Sequence, residues 1–176
     1  MLRTTLAVVA LISLMPFAAQ AHGPTRQKVV QSIEIDAPAD KVWAAIGKFQ
    51  DMGWHPAIAK TEGSGDNKPG AKRTLTLKSG GTIEEELIKH EDSAKSFAYE
   101  IKTVDVKVLP VSNYSSSVTV TGDGGKSKVE WKGAFYRGYV NNDPPPELSD
   151  EAAIAAVTGI YKSGLDALKA KIEAGG

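Results

Sequence analysis

Residues 28–35 alternate. Val29, Gln31, Ile33 and Ile35 fall on one side and Val30, Ser32, Glu34 and Asp36 on the other, the period-two pattern of a half-buried strand. Pro38 suits the first position of a helix, and Asp40 suits the positive end of its dipole. Val42, Trp43, Ile46 and Phe49 then share one apolar side, and Met52-Gly53-Trp54-His55-Pro56 ends that helix. Residues 62–70 are polar and glycine-rich and read as a loop. Strands follow near 72–78 and 82–90, joined by Ser79-Gly80-Gly81. Three more are expected: 95–103 with Phe97, Tyr99 and Ile101 on one face, 112–121 with Tyr114, Val118 and Val120, and 127–139 with Val129, Trp131 and Phe135. Gly122-Asp123-Gly124-Gly125 is the hairpin turn between the last two. Pro144-Pro145-Pro146 reads as a stiff extended connector. Ser149 can cap a helix, with Asp150 and Glu151 in its first turn. Ile154, Val157, Tyr161, Leu165, Leu168 and Ile172 keep helical spacing, which predicts one long helix over 149–173.

A strand, short helices, a run of antiparallel strands and a terminal helix predict an α+β fold, with the long helix covering the apolar face of the sheet. Gly159 and Gly164 interrupt that helix at a cost of about 1 kcal/mol each relative to Ala. They leave room either for close backbone approach or for a ligand.

The N-terminus changes the picture. Arg3 precedes an almost wholly apolar run, Leu6 to Phe17, and Ala19-Gln20-Ala21 supplies a small-x-small cleavage pattern. Together they predict a cleavable signal peptide, residues 1–21, and a single exported domain, 22–176, of periplasmic location. The apolar run is shorter than the roughly 20 residues needed to span a bilayer. No later segment is apolar enough to do so, and no membrane attachment is expected after cleavage. The 21 basic and 21 acidic side chains balance, so no overall field favours nucleic acid. The absence of cysteine excludes thiolate catalysis and Cys-ligated metals.

The segment Ile35-Asp36-Ala37-Pro38-Ala39-Asp40-Lys41-Val42-Trp43 resembles the opening of the SRPBCC superfamily, the START or Bet v 1-like helix-grip proteins. Trp54-His55-Pro56, Arg73 with Gly81 and Ile83-x-Glu85-x-Leu87, Tyr99-x-Ile101, Tyr114 and Val129-x-Trp131-x-Gly133-x-Phe135 follow in the order of its polyketide cyclase/dehydrase-like branch. The resemblance spans 28–172. It implies a curved antiparallel sheet wrapped around the long C-terminal helix. The leader, His22-Gly23-Pro24 and the Trp-His-Pro segment are more similar still to the MxaD-type periplasmic proteins of methanol-oxidation clusters. That likeness implies a non-enzymatic accessory of methanol dehydrogenase and its cytochrome c, without a cofactor.

Side-chain parity nominates a site. If Leu75, Leu77, Ile83 and Leu87 point inward, so do Arg73 and Glu85, and the tight connection at 79–81 brings the two within reach. By the same rule Gln31, Tyr99, Tyr114, Ser116, Trp131 and Arg137 face the interior. These eight are the candidates for lining a ligand cavity, in which an arginine receives an anionic or carbonyl group. A structural ion pair in a filled core, or charges reaching water at strand ends, is the competing reading. An adjacent arginine is expected to lower the Glu85 pKa, making it a poor general base. Trp54 and His55 are expected at a cavity mouth and His90 on the outer face. No nucleophile elbow or helical His pair is present, and no catalytic residue is assigned. His22, once N-terminal, can offer amine and imidazole nitrogen to copper, or simply fray. Besides the accessory role, two functions fit: a carrier or sensor of a small hydrophobic or amphipathic ligand, and a cyclase- or dehydratase-type enzyme.

Overall fold

The computed structural model describes residues 23–175; the leader and His22 lie outside them. Seven strands form one antiparallel sheet: β1 (Gln27–Ile35), β2 (Ile58–Ser64), β3 (Lys72–Leu77), β4 (Thr82–Glu91), β5 (Ser96–Val104), β6 (Val111–Asp123) and β7 (Lys126–Arg137). Strands β2 to β7 pair in sequence, and β1 returns to pair with β7, giving the order β1-β7-β6-β5-β4-β3-β2. One helix, α1 (Ala39–Ile46), follows β1. The long helix α2 (Asp150–Glu173) crosses the concave face. The helix-grip architecture is thus present, with one helix after β1 rather than several; residues 53–57 form turns instead.

The local reasons are those of the sequence. Ser149 Oγ accepts the Ala152 N–H at 3.1 Å and caps α2. Val157, Tyr161, Leu165, Leu168 and Ile172 are buried from one side of that helix, where it packs on β1 and β7. Val42 and Ile46 of α1 bury against β6 and β7, and Phe49 beyond it packs on Phe97 and Tyr99 of β5. Burial of such side chains contributes roughly 1.5–3 kcal/mol each.

Three local readings are corrected. Strand β2 begins at Ile58 and runs into the expected loop; it is an edge strand with almost every side chain exposed, so no alternation marks it. Pro145 is extended, but Pro146 starts a 3₁₀ turn to Leu148. The pairing of β4 with β5 shifts register between Leu87 and Lys89. Ile88 is exposed, as the parity of Ile83 and Leu87 requires; beyond the bulge parity reverses, leaving Lys89 exposed and turning His90 inward, its side chain 3% exposed. His90 Nε2 meets the Gly47 carbonyl at 2.7 Å, beside Trp43 and Phe97.

Candidate ligand cavity

Residues Arg73 and Glu85 are direct partners in the β3–β4 register. The short turn between the strands carries Gly80 and Gly81, both with positive φ, a conformation that glycine adopts at least cost. Across the ladder Arg73 Nε donates to Glu85 Oε2 at 2.6 Å, with both side chains almost wholly buried. Arg73 Nη1 donates to the Phe49 carbonyl at 2.6 Å. The guanidinium lies over the Phe49 ring at 4.1 Å and near the Tyr99 ring at 5.1 Å, which adds cation–π attraction.

Arg73, Glu85 and Tyr99 border a cavity of about 230 Å³ between α2 and the sheet. Its buried end is formed by Arg73, Glu85, Tyr99, Tyr114, Trp131 and Tyr161; Leu77, Ser79, Val108, Ala156 and Ile160 form the less buried side. Other walls, such as Leu75, Ile83 and Val157, are aliphatic. An engineered cavity of roughly 150 Å³ holds benzene, so this space takes one ring with a short substituent.

Behind the cavity runs a hydroxyl chain whose polarity can be deduced. Ser116 Oγ donates to the Lys132 carbonyl at 2.6 Å and so must accept from its other partners. Those are Trp131 Nε1 at 3.0 Å and Tyr161 Oη at 2.9 Å. Tyr161 therefore donates to Ser116 and accepts from Tyr114, with which it forms a short contact. Trp131 Nε1 also approaches Tyr99 Oη at 3.1 Å. Burial, the largest influence, raises all three phenols, that of Tyr99 to about 12. They remain neutral donors across the ordinary pH range. Gly133 makes room for this hub: a β-carbon there would stand 2.3 Å from Tyr161 Oη.

The remaining candidates divide. Gln31, half-buried on β1, and Arg137 do not border the cavity. Arg137 is buried but committed elsewhere, to Asp150 Oδ2 at 3.0 Å and the carbonyls of Tyr139 and Asn141. Ser116 sits one layer back, in the hydroxyl chain. Trp54 and His55 are interior residues, because the turns after α1 fold inward. Trp54 packs on Trp131 without bordering the cavity. His55 does border it, and both its nitrogens are occupied: Nε2 donates to the Ile160 carbonyl at 3.0 Å, and Nδ1 accepts the Ala57 N–H at 3.2 Å. Burial lowers its pKa from 6.5, so the ring is neutral. Tyr161, read from sequence only as an apolar position, is the residue that sequence reasoning missed. A lone tyrosine on the buried face of α2 was the available signal.

The expected direction for Glu85 is reversed. Burial pushes its carboxyl above the usual 4.5, and Arg73 pulls it back only in part. Among the described residues no cluster of three His, Asp or Glu side chains is placed to hold a metal ion.

Residues 26–173 match the family model for polyketide cyclase/dehydrase and lipid transport proteins. The chain belongs to this family. Among curated proteins none matches it. An uncharacterized protein from Bacillus thuringiensis is similar at 32% identity, over 82% of this chain and 98% of that one, with a TM-score of 0.70. The protein XoxI from Bacillus cereus is similar at 32% identity over 82% and 94%, also at 0.70. Neither bears the MxaD name. Norcoclaurine synthase from Thalictrum flavum, in complex with dopamine and hydroxybenzaldehyde, shares 15% identity over 100% and 99% at a TM-score of 0.65. That likeness concerns the fold of this polyketide cyclase-like chain and nothing finer.

Proposed function

We propose that this polyketide cyclase-like protein binds one small, largely apolar molecule in the α2–sheet cavity, as a carrier or sensor. One observation carries the reading: a space of about 230 Å³ lies between α2 and the sheet, and its aliphatic walls converge on a few fixed polar groups, the usual character of a ligand site. The fold tolerates such a use, since the Thalictrum enzyme holds two small aromatic compounds. The leader expected at residues 1–21 makes the periplasm the proposed compartment.

A cyclase- or dehydratase-type reaction is the second reading. Its support is Glu85, a carboxyl at the cavity wall whose pKa is shifted upward, as acid–base groups often are. The narrower role beside methanol dehydrogenase and cytochrome c needs a docking surface instead. The large exposed apolar side chains among the described residues, Val30, Ile88 and Val140, lie on β1, β4 and the segment after β7, too scattered to form one patch. The ligand reading therefore stands first.

Native mass spectrometry of protein purified from its own cells tests it. A retained small molecule at one per chain is the expected result. Bare protein that co-purifies with a dehydrogenase or cytochrome would support the accessory role instead.

A further inference from the structure

The polar end of the cavity carries a charge balance that restricts what can enter. Arg73 uses Nε and Nη1 on Glu85 and Phe49, while its Nη2 makes no hydrogen bond among the described residues. Glu85 uses Oε2 on Arg73, and its Oε1 accepts none among the described residues. Neither free atom is sealed in protein, and both residues border the cavity. The space thus presents a donor and an acceptor side by side. Tyr99 Oη accepts from Trp131 Nε1 beside them, with Ser116 and Tyr114 as its other neighbours.

Guanidinium and carboxylate at 2.6 Å cancel each other. The other polar lining groups are neutral: the three tyrosines are pushed upward by burial and His55 downward. An anion entering this site would compete with Glu85 for Arg73, and a cation would compete with Arg73 for Glu85. Either leaves a buried charge without its counterpart, which low-dielectric surroundings penalise heavily. A neutral group that both donates and accepts satisfies Nη2 and Oε1 without disturbing the pair.

We propose that the Arg73–Glu85 pair makes this cavity selective for neutral single-ring compounds bearing a hydrogen-bond donor and acceptor, such as a primary amide or a hydroxyl, against charged analogues of the same size. The proposal rests on the ligand reading above and adds the chemical class.

Titration calorimetry of the whole domain at pH ~8, above the usual carboxylate range, with benzamide, benzoate and benzylammonium separates the possibilities. Benzamide should bind at one per chain, and each ion at least ~tenfold more weakly. Glu85→Gln keeps an acceptor for Arg73 Nε but leaves the guanidinium charge unbalanced, so it should move the benzoate-to-benzamide preference ~tenfold toward benzoate. Tighter binding of either ion by the wild-type protein overturns the selectivity while leaving the ligand reading intact. An unchanged preference in Glu85→Gln shows that the apolar walls select, and overturns the role of the pair. No binding of any probe overturns the cavity reading itself.

Discussion

The His55 ring lies so close to Gly164 that a β-carbon at position 164 would stand 2.5 Å from His55 Cδ2 and 2.7 Å from Nε2. The ring is held at both ends, by Ile160 and Ala57, and Trp131 closes the third side at 3.2 Å from the same point. The absence of a side chain at 164 is therefore what lets the turn after α1 dock on α2 and complete one wall of the cavity.

The two helix glycines should respond in opposite directions. Gly164→Ala gains about 1 kcal/mol of helix propensity, but it forces His55 out of a doubly hydrogen-bonded position, and overpacking costs about 1–3 kcal/mol. A net loss of stability is expected. Gly159 is exposed, with nothing within 4 Å of its notional β-carbon, so Gly159→Ala should stabilise by up to about 1 kcal/mol. Urea unfolding of the two variants measures both; the same sign for each would contradict the packing described.

The buried ion pair should be asymmetric. Arg73→Met strands the Glu85 charge, for an expected cost of about 3–5 kcal/mol at neutral pH. Glu85 already sits above 4.5 because burial favours its neutral form. Stability tied to it is therefore complete below 4.5 and falls as pH rises through the folded value. Much of the Arg73→Met loss should return on acidification. Glu85→Gln should cost less, and the double variant should be more stable than Arg73→Met alone. Zero coupling in the double-mutant cycle would mean that the two side chains do not act on each other.

His55 gives the opposite pH sign. Its pKa is lowered from 6.5 by burial, so the stability tied to its neutral form is present above 6.5 and is lost as pH falls through the depressed value. Protonation also removes the acceptor for the Ala57 N–H. Titration followed by nuclear magnetic resonance should place the His55 midpoint below 6.5, with the Ala57 amide shifting at the same midpoint. A midpoint at or above 6.5 would contradict the enclosed geometry.

These residues also show where sequence reasoning holds. Arg73 and Glu85 were legible as partners because a tight turn fixes register and parity fixes the face. The same parity failed for His90, because one extra residue in the β4–β5 pairing flips every position beyond it, and nothing in Leu87-Ile88-Lys89 marks the bulge. The helix face of Ile154 to Ile172 was plain from its period. Periodicity sees Tyr161 only as apolar, so its hydroxyl, the centre of the Tyr114–Ser116 chain, emerged only when β6 and β7 were placed beside α2. His55 and Trp54 lie in turns, where no period says which way a side chain points.

If a ligand sits in the space between α2 and the sheet, filling that space must abolish binding. Ala156 borders it from α2, so Ala156→Phe fills it from one side. Titration calorimetry with phenol, a neutral one-ring probe, measures the consequence directly. The wild-type protein should bind phenol at one site per chain, and Ala156→Phe should lose that binding while still unfolding cooperatively. Undiminished binding in Ala156→Phe, or none in the wild-type protein, would show that this space is not the ligand site.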